Sequence, residues 1–315
     1  MTYFVPHRFG IALFMTASIA VSIALNATRA QQQRVQNEAL LQDSEKETDV
    51  EESRRMFRTF GKQRAVDSGK AKTTPRNTAH KANSSASQED AFIGFTVWEM
   101  RESSGGTERR SFVLKRSNGQ NVVLRPFRLG ADSQLVAGRS YVFSIEAARA
   151  GYLYVIDREV YTDGSLGAAM LLFPTKDARG GNNLIAAGYP VEIPDQKTES
   201  AYFEATRNGQ NHIGEALTII VSAEPLVSSS SLRADPITLE KSEVEKWERQ
   251  WATTRTRWAD NADSVGRAYS EAEGRAGGDA TYRLKETDPL PQRLYRVGAG
   301  ARNPLIVTLQ LRYAG

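Results

Sequence analysis

The sequence predicts a mainly β domain, an antiparallel β-sandwich or partly closed barrel, with one long amphipathic α-helix inserted near the C-terminus. Three observations lead there. Over residues 91–315, short β-branched and aromatic runs alternate with turn dipeptides. One apolar stripe at helical spacing interrupts them between Thr238 and Gly274. Finally, the chain has no cysteine, so an exported domain of this length must rest on its own core rather than on disulfides.

At the N-terminus, His7 and Arg8 precede a charge-free run from Phe9 to Leu25, and Asn26-Ala27-Thr28-Arg29-Ala30 then offers small residues to a signal peptidase. A basic, then apolar, then small-residue order is that of a secretory signal, here residues 1–30. The rival reading is an uncleaved N-terminal anchor, because a run of about 17–25 apolar residues can span a bilayer. Gly10, Thr16, Ser18 and Ser22 dilute the run and favour cleavage. Both readings place the bulk of the chain in the periplasm or outside the cell. Without cysteine there is no thiol nucleophile, no cysteine–zinc site and no lipid-modified cysteine. The formal charge of +4 falls to +2 once Arg8 and Arg29 leave with the signal, so charge gives no argument for nucleic acid.

Residues 31–90 read as a disordered charged linker, since their composition buries too little apolar surface to offset ordering entropy. The segment is acidic from Glu38 to Glu52, whereas between Arg54 and Lys81 nine basic residues face only Asp67. A solvated tether is the plain reading. A basic arm that touches anionic headgroups or envelope polymers is the sharper one.

The domain begins at Phe92. Phe92 to Met100, Ser111 to Lys115 and Asn121 to Phe127 read as strands, the last two joined through Asn118-Gly119, a type I′ hairpin signal. Tyr141, Phe143 and Ile145 share one face of the next strand, and Gly151 to Ile156 follows, with Asp163-Gly164 as a turn. Met170 to Phe173, Val191 to Ile193 and Ala201 to Ala205 are shorter candidates. Ala216 to Ser222 is nearly all apolar, as expected of a strand covered on both faces. Leu305 to Tyr313 alternates and reads as a final strand.

The long helix, residues 238–274, carries Val244, Trp247, Trp251, Trp258, Ala262, Val265 and Tyr269 at steps of three, four and seven. Ser242 to Glu245 reads as a capping box, and Gly274 with Gly277-Gly278 as the stop. Trp247, Trp251 and Trp258 form either the seam that clamps the helix onto the sheet or, if exposed, an aromatic platform for a partner.

The pieces Gly151-Tyr-Leu-Tyr-Val-Ile156, Asp163-Gly164, Leu171-Leu-Phe-Pro174, Asn182-Asn183 with Ile185 and Gly188, Ile193-Pro194 and Leu217 to Leu226 stand in an ordered spacing. Over Tyr141 to Leu226 the chain resembles the bacterial domain-of-unknown-function family numbered 4384. That resemblance implies an exported β-rich module, and it brings no catalytic residue with it.

Catalytic motifs are sparse. His212 reads as a loop histidine on an exposed turn in the polar stretch Asn208-Gly-Gln-Asn-His-Ile, where Ser222 or Asp195 would be its conceivable partners, but no Gly-x-Ser-x-Gly or His-Glu-x-x-His accompanies it. Asp157, Glu159 and Asp163 cluster at a strand end without the alternation of a calcium loop. Gly298 to Asn303 precedes a strand and so fails the context of a dinucleotide loop. The reading is therefore a non-catalytic interaction module of the cell envelope that binds a protein or an envelope polymer. It expects no cofactor, no metal and no nucleic acid, with membrane contact only through residues 1–30 or Arg54 to Lys81. Two alternatives are a structural accessory subunit of a larger exported complex and a hydrolase using His212.

Overall fold

A computed structural model of the chain describes residues 89–102, 113–117, 120–195, 202–251, 255–260, 262, 265–278, 282, 284, 285, 288–299 and 303–315. The expected signal and most of the expected linker lie outside them. The strands are β1 (Glu89–Glu102), β2 (Val113–Ser117), β3 (Gln120–Arg128), β4 (Ser140–Ala147), β5 (Gly151–Tyr161), β6 (Ala169–Phe173), β7 (Leu184–Ile185), β8 (Val191–Ile193), β9 (Phe203–Glu204), β10 (His212–Ser222), β11 (Ile237–Leu239), β12 (Arg255–Asp260), β13 (Arg293–Ala299) and β14 (Leu305–Arg312). Two helices join them, α1 (Lys241–Gln250) and α2 (Glu271–Gly278).

The strands form two antiparallel sheets that do not close into a barrel. One sheet runs β12-β13-β1-β3-β2, with β4 on the other side of β1 and β8 and β9 beyond β4; the second runs β11-β6-β5-β10-β14, with β7 on β5. Ser117 pairs with Gln120, so two residues connect β2 to β3, as Asn118-Gly119 requires. Period-two alternation aims Ile93, Phe95 and Val97 of β1, Phe143 and Ile145 of β4, Leu153 and Val155 of β5, and Leu217, Ile219 and Val221 of β10 into one shared core. β10 is buried on both faces, which explains its unbroken apolar run.

The second sheet's outer face is covered by α1. Val244 (0% exposed) and Trp247 (6%) pack on Tyr154, Ile156, Leu171, Ile220 and Ile306, with Trp251 half-buried beside them. Trp247 and Trp251 stack with ring centroids 6.2 Å apart. Arg158, which alternation turns outward from β5, ion-pairs with Glu248 of α1, and Glu248 also accepts from Thr218 Oγ1 at 3.0 Å.

The expected helix 238–274 is corrected. Its span holds β11, α1, β12, an intervening segment and the start of α2. The apolar stripe is interrupted after Trp251, because the next turn brings Thr254 and Arg255 instead of apolar residues. Across that gap the seven-residue step to Trp258 carries no helical register, and β13 supplies a ladder for Arg255–Asp260. Trp258 thus belongs to a strand of the other sheet and shares no helix face with Trp247 and Trp251. Gly266, with φ of +76°, breaks helical geometry further on. The capping box also lies elsewhere. Glu240 precedes α1 without a side-chain cap, whereas Ser270 Oγ accepts from the Glu273 N–H at 3.2 Å and Glu273 Oε2 accepts from the Ser270 N–H at 2.9 Å. Gly274 lies inside α2, which runs on to Gly278.

The outer face of the first sheet carries a buried polar network. Trp98 donates to Ser144 Oγ at 2.8 Å, meets Tyr269 edge-on, and lies under the Arg128 guanidinium at 4.7 Å. Arg128 ion-pairs with Glu273 and donates to Leu290 O at 2.7 Å. Gln292, wholly buried, accepts from the Val97 N–H at 2.9 Å and donates to Leu129 O at 2.6 Å. Glu146 of β4 lies in the same region with Oε2 unpartnered. Burial pushes its carboxyl up to about 8, against the pull of Arg128.

Candidate functional site

The inner faces of the two sheets do not meet everywhere. Toward one end of the sandwich they leave a cavity of about 350 Å³, lined by Tyr141 and Phe143 of β4, residues 203–206 at and after β9, Ala168, Met170 and Leu172 about β6, Asp157 and Glu159 of β5, Glu215 and Leu217 of β10, Leu135 and Tyr313. Its position follows from strand alternation. Leu153, Val155, Asp157 and Glu159 occupy one face of β5, so the apolar core side of the strand turns acidic at its C-terminal end. On β10, Leu217 stands opposite Asp157, and Glu215 opposite Glu159. Two carboxylates facing each other across a ladder repel, and a third lies on the diagonal.

The three carboxyls divide by environment. Glu159 accepts from Tyr161 Oη and from Asn208 Nδ2, and the Tyr161 bond chiefly holds it below the usual carboxylate range. Burial raises Asp157 well above that range, and neighbouring Glu215 adds to the effect. Burial likewise raises Glu215, although Tyr313 and His212 oppose it. Tyr313 Oη lies 2.7 Å from Glu215 Oε1 and 3.0 Å from Thr206 O. One phenolic proton serves one of these acceptors; a protonated Glu215 satisfies both contacts by donating to the phenol oxygen. Asp157 Oδ1 and Glu215 Oε2 are sealed from solvent and meet no hydrogen-bond partner.

His212 supports this site from behind. It is 1% exposed, at the start of β10 after a turn through Gly209 (φ +89°), and not on an open loop as its polar neighbours suggest. Its Nδ1 accepts from the Asn208 N–H at 3.1 Å, and Nε2 lies 3.0 Å from Gly214 O and 3.2 Å from Glu215 Oε1. That pattern selects the Nε2–H tautomer. Tyr161 and Tyr313 flank the ring at 5.9 and 5.0 Å. A register shift between His212 and Gly214 turns the strand here. Gly214 is required by close approach, since a Cβ would stand 2.3 Å from Leu311 O.

The sequence candidates are distributed as follows. Both nitrogens of His212 are engaged, and Ser222 is at the opposite end of the same strand, about 33 Å away by strand rise. Asp195 follows β8, within electrostatic reach of Arg179. Asp163 is exposed and caps its own turn, accepting from the Ser165 N–H at 2.9 Å. Trp247 is core and Trp251 half-buried, and the side chain of Trp258 lies outside the described residues. Among the described residues, no group of three or more histidine or acidic side chains is placed to hold a metal ion. Glu215, which completes the acidic group, drew no attention in the sequence. Its signal is faint, an acid two residues before Leu217 on the inward face. The pieces quoted for the family resemblance fall on β5 to β8 and β10 and in the turns between them. No family model, curated protein or solved structure matches the chain.

Proposed function

We propose that this protein is a non-catalytic interaction module of the cell envelope, exported by residues 1–30, that holds a protein or envelope polymer in the cavity between its two sheets. One observation carries the reading. The cavity has apolar walls, and two of its lining residues, Asp157 and Glu215, each carry a buried carboxyl oxygen with no hydrogen-bond partner. A concave apolar site with a few convergent polar groups is the usual form of a binding site, and unmet buried polar atoms call for a partner. The reading moves recognition from the Trp247, Trp251 and Trp258 set to the cavity, because Trp247 already serves the core. Membership of the family numbered 4384, the tether over residues 31–90 and membrane contact through Arg54 to Lys81 belong to the same proposal.

Ala168, exposed at the cavity, provides the test. Ala168→Trp blocks the mouth without entering the core. The full chain with a C-terminal tag, cross-linked mildly in envelope extract, retains one stoichiometric component, and Ala168→Trp loses it at an unchanged Tm. Equal retention by both chains refutes the cavity as the recognition site. A second reading is acid–base hydrolysis, favoured by the opposite protonation preferences of Asp157 and Glu159 in one cavity. It requires turnover of a glycoside panel that Asp157→Asn abolishes, and a parent chain without turnover ends it.

A further inference from the structure

Resting on that binding reading, we propose that the cavity takes the ammonium group of a lysine side chain presented by an extended segment of a partner polypeptide. Four carboxylates line the space, Asp157, Glu159, Glu204 and Glu215, and no lysine or arginine does. The lining therefore supplies no cation of its own. The apolar lining, including Phe143, Met170, Leu172, Phe203 and Leu217, suits a methylene stem, so the ligand must combine an alkyl chain with a cationic head. The carboxyls stand on different strands, Asp157 and Glu159 on β5, Glu204 on β9 and Glu215 on β10. A compact ammonium with three divergent donors suits carboxyls spread in this way, whereas a guanidinium fork is best met by two oxygens of one carboxylate.

The mouth indicates how the stem arrives. β9 pairs with β4 alone among the described strands, and its Phe203 and Glu204 form part of the lining. A strand edge beside a side-chain pocket is the arrangement that receives an extended peptide, with backbone bonds along the edge and one side chain inserted. The charged and titratable neighbours of Asp157 and Glu215 are Glu159 of β5, Arg158 on the outward side of the same strand, His212 of β10, Glu204 of β9 and Tyr313 beyond β14. An inserted ammonium favours the ionised forms of Asp157 and Glu215, so binding releases protons and tightens as pH rises.

The experiment is calorimetric titration of the full chain with an acetylated, amidated pentapeptide Ala-Val-Lys-Val-Ala. Parallel titrations use the norleucine and arginine versions and butylamine alone. The lysine peptide binds at least about tenfold more tightly than the norleucine peptide, as expected for charge-assisted bonds. It also binds more tightly than the arginine peptide and butylamine, and more tightly at pH 8 than at pH 6. Asp157→Asn and Glu215→Gln weaken it at an equal or higher Tm, which separates lost recognition from lost folding. Equal binding of the norleucine peptide overturns the cation; equal binding of the arginine peptide overturns the ammonium, and equal binding of butylamine overturns the polypeptide. No peptide binding, while envelope capture stays sensitive to Ala168→Trp, refutes the lysine assignment and leaves the binding reading standing. If capture is insensitive as well, both fall.

Discussion

Glu146 gives the sharpest quantitative expectation. Its carboxyl is buried between β4 and the segment around α2, near Arg128 and Glu273, and titrates at about 8 instead of 4.5. Below pH 4.5 the folded and unfolded chains both carry the proton, and the group costs nothing. As pH rises toward 8 the unfolded chain loses the proton and the native chain keeps it, so stability falls across that window. At about 1.4 kcal/mol per pH unit the loss is roughly 3 kcal/mol at pH 7 and roughly 5 kcal/mol by pH 8. Glu146→Gln keeps the shape and removes the titration. Arg128 retains Glu273 and Leu290 O as partners. Urea unfolding of the full chain, followed by tryptophan fluorescence at pH 4.5, 6, 7 and 8, measures the difference directly. The variant is close to the parent at pH 4.5 and pulls ahead steadily as pH rises. Parallel curves for the two chains over the whole range would refute the assignment of a buried, protonated Glu146.

Three further outcomes test other parts of the fold. Trp247→Ala removes the main contact of α1 with the second sheet and costs about 3–5 kcal/mol in urea unfolding; a loss below about 1 kcal/mol would mean α1 is not held by that ring. Gly214→Ala forces β14 away from β10 and lowers stability by about 2 kcal/mol or more, read as a fall in Tm, while the same change at Gly138, where a Cβ meets nothing, is governed by its φ of +80° alone and costs about 1 kcal/mol. His212→Ala strips partners from the Asn208 N–H and Gly214 O and costs about 2–4 kcal/mol in chemical denaturation. An unchanged Tm in that variant, with loss of an activity, would return His212 to a catalytic role.

The strands were legible because their patterns are local. Tyr141, Phe143 and Ile145 announce one face, Asn118-Gly119 fixes a two-residue hairpin, and the apolar run at Ala216 to Ser222 matches a strand buried on both sides. The helix misled because a step of seven keeps two residues on one helix face whether or not a helix joins them, and rejecting it needed the absence of apolar residues at Thr254 and Arg255 together with a distant partner, β13. The cavity was legible only in part. Asp157 and Glu159 stand at inward positions of an apolar strand, and that alternation is in the sequence. Their meeting with Glu215 depends on the register of β5 against β10, which joins residues more than fifty apart. His212 looked exposed because its neighbours are polar, yet those neighbours form the turn that buries it.

The pairing of β13 with β1 and of β14 with β10 has a consequence for the order of events in the life of the chain. Each sheet is completed by a strand from near the C-terminus, β13 on one and β14 on the other. A chain emerging from its N-terminus can form the β2–β3 hairpin early, but it cannot seal either side of the core until residues 293–312 have appeared. Such long-range closure slows folding. Under the export proposed for residues 1–30, late sealing would keep the thread pliable through transit and confine the locking step to the far side.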